Sequence, residues 1–301
     1  MKVLVTGGSG LVGNALRKIA PDWLYPPSSE LSLLDPIGTT VYLEKHRPDV
    51  VVHLAARVGG LYRNMKDNER MLVDNVMMNM NIIQAAEEVG VKRFIGILST
   101  CVFPDDILYP LTESQVHMGP PHFSNEGYAY AKRTMDIHLK LSKMNTTCLI
   151  PTNLFGPHDN FNLEQAHVIP ALIHKCHLAK RKGKPFMVAG TGSALRQFMY
   201  SGDFARIIKH FVEVHDPKVP HESFICAPDE RQEISIEHVA FKIAKHMDYQ
   251  QYLGFDTSFP EGQHRKPASN NNLMATIGDF EFSDFDEKLA ETIEWFKAQR
   301  D

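Results

Sequence analysis

Ser99, Cys101, Tyr128 and Lys132 are the residues of this chain whose types and spacing could do chemistry. Tyr128 and Lys132 stand four apart in Tyr-Ala-Tyr-Ala-Lys, which on a helix puts them on one face. An ammonium there favours the phenolate and lowers the tyrosine pKa toward neutrality, so that the phenol can exchange a proton with a carbonyl oxygen. Ser99 can donate a second hydrogen bond to that oxygen. Together they are a proton-delivery set for nicotinamide-dependent carbonyl reduction. Cys101 is not required for reduction. If residues 94–101 form a strand, alternation aims Ser99 and Cys101 to one side and Thr100 to the other, so the thiol faces the same substrate as the hydroxyl.

These side chains need a scaffold, and the first half of the sequence alternates in the βαβ manner. Strands are expected at 2–6, 50–55, 94–99 and 147–150, with a short one at 23–25; helices are expected at about 11–20, 68–89 and 126–143. The continuously apolar run at 50–52 suits a strand covered on both faces. This is the pattern of an α/β protein with a doubly wound parallel sheet of the Rossmann type. After Pro151 the chain becomes turn-rich, with helices at about 167–181, 203–214, 235–247 and 285–299. The expected organisation is a dinucleotide-binding domain over 1–160 and a smaller α/β substrate domain over 161–301, with part of 186–225 returning to the first. Met71, Met77, Met78 and Met80 read as core or interface filler on a long helix.

Val3 to Gly13 places a glycine turn directly between strand and helix. Gly7 permits the tight turn, Gly10 lets backbone approach a pyrophosphate, and Gly13 allows close packing of helix on strand. The spacing, Gly-x-x-Gly-x-x-Gly, is a weak signal alone; its place between the first strand and first helix makes it a dinucleotide site. Neither an acid nor an arginine stands at the tip of the second strand, where an NAD or NADP site would carry it. Ser28 and Ser29 can hydrogen-bond a phosphate there, which favours NADP. Asp35 reads as an adenine contact or as the cap of a following helix.

The composition limits the alternatives. With 301 residues, 43% hydrophobic and 23% charged, the chain can bury a full core. A net charge of -4 with interspersed signs carries no basic patch, so nucleic acid is not expected. The cysteines at 101, 148, 176 and 226 have neither paired nor C-x-x-C spacing, which fits a reducing compartment. His174, Cys176 and His177 are close in sequence, but neighbouring side chains on a helix diverge, so no metal is expected. No apolar run reaches the roughly 18 residues of a membrane span, and the N-terminal run is too short for a signal peptide. A cytoplasmic protein without membrane attachment is expected.

The glycine loop with Ser99, Tyr128 and Lys132 resembles the extended short-chain dehydrogenase/reductase superfamily. Longer segments resemble its members that act on GDP-sugars: His53 to Gly60, Leu98 to Pro104, Pro151 to Phe161 and His167 to Leu172. The similarity runs from residue 1 to Trp295-Phe296. It implies NADPH as cofactor and GDP-4-keto-6-deoxy-D-mannose as substrate, inverted at C3 and C5 and reduced at C4 to GDP-L-fucose. Cys101 and His167 would be the base and acid of the inversions, with Tyr128, Lys132 and Ser99 serving the reduction. The cofactor would lie along Gly7, Gly10, Leu11, Val12, Gly13, Ser28, Asp35, Leu54, Ala55, Ala56, Pro151, Asn153, Leu154 and His167, besides Tyr128 and Lys132. Asn153, Lys175, Arg196 and Lys266 would meet the substrate, and a homodimer would form through the helices at 68–89 and 126–143. Ala189 and Ser269 depart from the pattern, standing where many members have tryptophan and aspartate. Reduction without inversion, giving GDP-D-rhamnose, needs only Ser99, Tyr128 and Lys132, and a non-catalytic cofactor-binding homologue is the reading from outside enzymes.

Overall fold

The computed structural model describes residues 1–259 and 263–300. β1 (Val3–Thr6) runs through the glycine turn into α1 (Leu11–Ile19), and α2 (Pro36–His46) leads to β2 (Val50–His53). α3 (Leu61–Lys66) and α4 (Asn68–Glu88) come before β3 (Arg93–Ile97), and α5 (Glu126–Leu141) comes before β4 (Asn145–Pro151). The chain then builds β5 (Asn153–Phe155), α6 (Val168–Lys182), β6 (Phe186–Ala189) and β7 (Leu195–Arg196). β8 (Phe198–Tyr200) pairs with β5, α7 (Ser201–Glu213) returns to pack on α1, and β9 (His221–Cys226) adds to the first sheet beside β4. β10 (Ile234–Ser235), α8 (Ile236–His246), β11 (Leu253–Asp256), α9 (Asn271–Ile277) and α10 (Phe285–Ala298) complete the chain.

The central sheet has the order β1-β2-β3-β4-β9, and every pairing in it is parallel. Its strands are apolar because both faces are covered. Val51 packs with Leu43, Ile82 and Phe94 on one face, while Val50 and Val52 join Leu16, Ile95 and Phe204 on the other. A third cluster, including Phe155, Phe198, Ile243 and Phe296, fills the smaller lobe. There β6 pairs with β11 and β7 with β10.

Two sequence expectations change. The strand expected at 23–25 makes only one parallel bridge, Leu24 to Leu4, because Pro26 and Pro27 bring no N–H groups to extend the ladder. The strand expected over 94–99 stops at Ile97, and Ser99 becomes the cap of a short 3₁₀ turn over Thr100–Val102. Alternation along a strand therefore does not set the direction of Cys101; the turn does. The helix that Asp35 was expected to cap is α2, with Pro36 at its first position and the Asp35 carboxylate accepting from Gly38 N–H at 3.0 Å.

One buried polar chain ties the strand ends to the helices. Thr6 accepts from the Ala55 backbone N–H at 3.2 Å, and its hydroxyl meets His53 Nδ1 at 2.8 Å. His53 Nε2 meets Asn79 Oδ1 at 2.9 Å, and Asn79 Nδ2 donates to the Ala131 carbonyl of α5 at 3.2 Å. Since the Asn79 amide nitrogen is committed to Ala131, its oxygen must accept, so His53 carries its proton on Nε2 and Nδ1 accepts from Thr6. Asn79→Ala should leave the buried His53 N–H without a partner and remove the tie between α4 and the Ala131 carbonyl of α5, at a cost of about 1–3 kcal/mol, measurable by urea unfolding.

Candidate active site

A cleft of about 970 Å³ opens where the carboxyl ends of β1 to β4 face the smaller lobe. The switch point of a doubly wound sheet is where such crevices form. Gly7 has φ +71°, and a Cβ built on it would lie 2.7 Å from Ala55 N, so only glycine fits the turn. A Cβ on Gly13 would lie 2.5 Å from Gly8 Cα, which fixes how closely α1 meets the turn. Around Gly10 there is room, with no neighbour nearer than Gly7 O at 3.4 Å, and no side chain caps α1. The first turn of α1 thus presents backbone N–H groups to the cleft, which suits a pyrophosphate.

Gly7, Gly10, Leu11, Val12 and Gly13 line one end of the cleft, with Leu54, Ala55 and Ala56 beyond β2. Pro151, Asn153 and Leu154 line it from β4 and β5. Ser28 and Asp35 lie outside this lining, and Leu34 takes the neighbouring place. The residues present fit a dinucleotide: a glycine turn that a side chain would block, free helix N–H groups, and apolar walls for the rings.

Ser99, Cys101, Tyr128 and Lys132 meet at the middle of the cleft. Ser99 Oγ accepts from the Cys101 backbone N–H at 3.3 Å, which leaves the serine hydroxyl hydrogen available to a substrate oxygen. The Lys132 side chain is buried, its Nζ donating to the Ile97 carbonyl at 2.7 Å and standing 5.7 Å from the centre of the Tyr128 ring. Loss of solvation brings the Lys132 pKa down to about 8. The expectation that Lys132 lowers the Tyr128 pKa is not met: burial of the phenol raises it, and the charge of Cys101 pushes the same way. Tyr128 is held as the neutral phenol, the form that can give a proton to a developing alkoxide.

His167 approaches from the smaller lobe. It occupies the N-cap position of α6, but its side chain makes no capping bond and lines the cleft instead. Desolvation lowers its pKa, favouring the neutral imidazole. Lys175, Arg196 and Lys266 also line the cleft. The Arg196 guanidinium is committed to backbone, donating to Leu195 O at 2.6 Å, Gln263 O at 2.6 Å and His264 O at 3.3 Å. It therefore braces the 263–264 segment as well as offering charge to a ligand. Burial lowers the Lys266 pKa, while the nearby charge of Cys101 acts against that lowering.

His158 and Asp159, adjacent in the Gly-Pro-His-Asp segment, face different surroundings. His158 packs against Trp295 with ring centres 4.7 Å apart and planes tilted by 48°, and borders a smaller groove. Asp159 lines the main cleft, and burial lifts its pKa to about 7. Asn64, His122 and Asn125 are further polar cleft residues not singled out from sequence. His174 and His177, close to Cys176 in sequence, lie against the ring of Phe296, with His174 Nδ1 at 2.7 Å from Phe161 O.

The model of the NAD dependent epimerase/dehydratase family matches residues 3–227. The GDP-L-fucose synthase of Dictyostelium discoideum is 42% identical over 98% of this chain and 94% of its own length. The chain belongs to the GDP-L-fucose synthase branch of that family. The probable GDP-L-fucose synthase of Drosophila melanogaster is 40% identical over 98% of this chain and 97% of its own. A GDP-L-fucose synthetase from Naegleria fowleri bound to NADP superposes with a TM-score of 0.92 at 41% identity, covering 99% of this chain and 93% of that one.

A pH dependence follows for this GDP-L-fucose synthase family member. Steps that draw a proton through Tyr128 and Lys132 need the ammonium, which is lost as pH rises through about 8. The kcat/KM for reduction should therefore fall on the alkaline side with a midpoint near there. Lys132→Arg, charged throughout, should remove that alkaline limb even at a lower absolute rate, and kcat/KM–pH profiles of both proteins check it.

Proposed function

We propose that this chain converts GDP-4-keto-6-deoxy-D-mannose to GDP-L-fucose with NADPH, by inversion at C3 and C5 followed by reduction at C4. The observation that carries the reading is the meeting, in one cleft, of the Ser99, Tyr128 and Lys132 set with the Cys101 thiol and an uncapped His167. The family and the NADP-bound relative support the cofactor. In this reading Gly10 and the start of α1 hold the pyrophosphate, Asn153 and Leu154 flank the nicotinamide, and Lys175, Arg196 and Lys266 meet the substrate diphosphate. NADPH bound there supplies the hydride for C4.

The C4 ketone acidifies both C3–H and C5–H. Cys101, as thiolate, removes the proton, and the negative charge moves to O4, where the Ser99 and Tyr128 hydroxyls donate hydrogen bonds. His167, made imidazolium by taking the Cys101 proton, returns a proton to the opposite face of the carbon, so the configuration inverts and leaves a neutral thiol and a neutral imidazole, from which the same thiol-to-imidazole transfer readies the pair for the second carbon. Reduction follows at the same oxygen: Tyr128 gives its proton to O4 as C4 becomes tetrahedral, and the Lys132 ammonium stabilises the phenolate left behind. A reductase alone would use Ser99, Tyr128 and Lys132, so the C4-only route to GDP-D-rhamnose lacks a task for Cys101 and His167.

Two lobes serve these steps: a cofactor lobe over about 1–160, with β9 added to its sheet, and a substrate lobe over most of 161–301. A homodimer through α4 and α5 is part of the same reading. Val73, Met77 and Met80 recur as one exposed stripe on α4, and Tyr130, Ile137 and Leu141 as another on α5. Placement in the cytoplasm draws support from the four unbridged cysteines. Among the described residues, no helix is long and apolar enough to cross a membrane.

Cys101→Ser should slow C3 and C5 exchange by about 100-fold or more while NADPH oxidation persists, and the sugar product should shift toward GDP-D-rhamnose. NMR of the product formed in deuterated water reads both effects; normal deuterium uptake by the variant would remove Cys101 from its role. Sedimentation should give a dimer for the wild type and a monomer for Met77→Glu combined with Ile137→Glu, since charges on both stripes oppose burial.

A further inference from the structure

Asn64 and Asp159 each carry a buried side-chain oxygen that has no hydrogen-bond partner among the described residues. Asn64 Oδ1 and Asp159 Oδ2 are shielded from bulk water and have no hydrogen-bond partner, and both residues line the cleft. Two other buried amides, by contrast, are fully used. Asn75 bridges both backbone groups of Arg57 and the Met71 carbonyl, and Asn79 links His53 to Ala131. An unpaired acceptor of this kind costs about 1–3 kcal/mol, so two of them beside a ligand cleft call for donors from outside the chain.

The backbone shows where in the cleft they sit. Asn64 lies on α3, whose cap residue Gly60 donates its N–H to Gln165 O at 2.9 Å. A Cβ on Gly60 would come 2.4 Å from Ala166 O, so α3 starts hard against the residues that precede His167. Asp159 closes a turn onto Gly156 O, spends Oδ1 on the Asn160 N–H at 2.7 Å, and adjoins Asn160, whose side chain reaches Gln165. The segments that carry Asn64 and Asp159 thus both meet the chain at 165–166, directly before His167. The turn needs only one carboxylate oxygen; the other is spare.

On the reading that this cleft takes a GDP-linked 4-keto-6-deoxyhexose, we infer that Asn64 and Asp159 are specificity-determining residues whose side-chain oxygens accept hydrogen bonds from the hexose hydroxyls at C2 and C3. With C4 a ketone, C6 a methyl and C1 bound to phosphate, those two hydroxyls are the sugar's only donors. Sites that pair buried acceptors with substrate hydroxyls reject analogues lacking them, because the acceptors are then left unpaired. The wall made by α3 and the 156–160 turn thereby recognises the hexose, while the cations of the smaller lobe hold the diphosphate.

The test compares kcat/KM for the full substrate with kcat/KM for its 2-deoxy and 3-deoxy analogues, in wild type, Asn64→Ala, Asp159→Ala and Asp159→Leu. The wild type should prefer the full substrate to at least one analogue by about tenfold or more, and one of the variants should bring that ratio close to one. NADPH affinity should stay within about twofold in every variant, which separates loss of a sugar contact from loss of the fold; Asp159→Asn, retaining the shape and one amide oxygen, keeps the comparison available if the alanine and leucine variants do not fold. Unchanged ratios in all folded variants, or a wild type that does not distinguish the sugars, would overturn the inference while leaving the GDP-L-fucose reaction standing. A wild type that turns over none of the sugars would instead overturn the reaction, and the inference with it.

Discussion

The constraint on which the rest depends is the burial of the Lys132 ammonium. A charge taken out of water is costly unless fixed dipoles replace its solvent. Here the Ile97 carbonyl at the end of β3 is one such dipole, 2.7 Å from Nζ. That contact sets how far α5 can slide along the sheet, and so where Tyr128, one turn earlier on the same face, presents its hydroxyl. It also limits what else can be charged nearby. His53, buried beside it, has its pKa brought down to about 3, first by desolvation and then by Lys132. A neutral His53 can accept at Nδ1 and donate at Nε2, which is what the chain from Thr6 to Ala131 needs. The same burial that makes Lys132 responsive to pH therefore keeps its supporting network neutral.

Through that network the cofactor turn and the proton-transfer helix are mechanically one unit. Thr6 ends β1 at the glycine turn, Ala55 follows β2, Asn79 stands on α4, and Ala131 lies directly before Lys132. A shift in the turn would be felt at α5 without passing through solvent. The smaller lobe is joined differently. His167 reaches the cleft from the start of α6, and Arg196 holds the 263–264 segment by backbone hydrogen bonds.

The sheet, its long helices and the central chemistry were legible in the sequence because each has a strong local signature. Apolar runs such as Val50-Val51-Val52 report double-sided burial, and Tyr128 and Lys132 share a helix face at any register. What escaped had weak or competing signals. The strand at 23–25 has the right apolar residues, yet two prolines limit it to a bridge. Ser99 and Cys101 looked like alternate strand positions, but the Ser99 side chain caps a turn, so their shared orientation has another cause. α3 is too short to show periodicity, which hid Asn64, and Asp159 sits in a turn-forming segment whose residue types suit scaffolding equally well. The Tyr128 pKa went the other way because a sequence reveals the nearby cation but not the burial that opposes it.

Burial also explains how one cleft can hold two kinds of proton transfer apart. Tyr128 and Lys132 belong to the sheet end; desolvation raises the phenol pKa, so Tyr128 keeps its proton until O4 gains charge, and lowers that of the ammonium, so Lys132 keeps its charge only below about pH 8. Cys101 lies beside them on a turn, and His167 faces them from the other lobe. Inversion needs a base and an acid on opposite faces of a carbon, an arrangement that one sheet end alone could not offer. Reduction needs only one face. On the proposed roles of Cys101 and His167, the second lobe serves epimerisation in a way that it does not serve hydride chemistry, because inversion must precede the reduction of C4 that ends its acidifying effect.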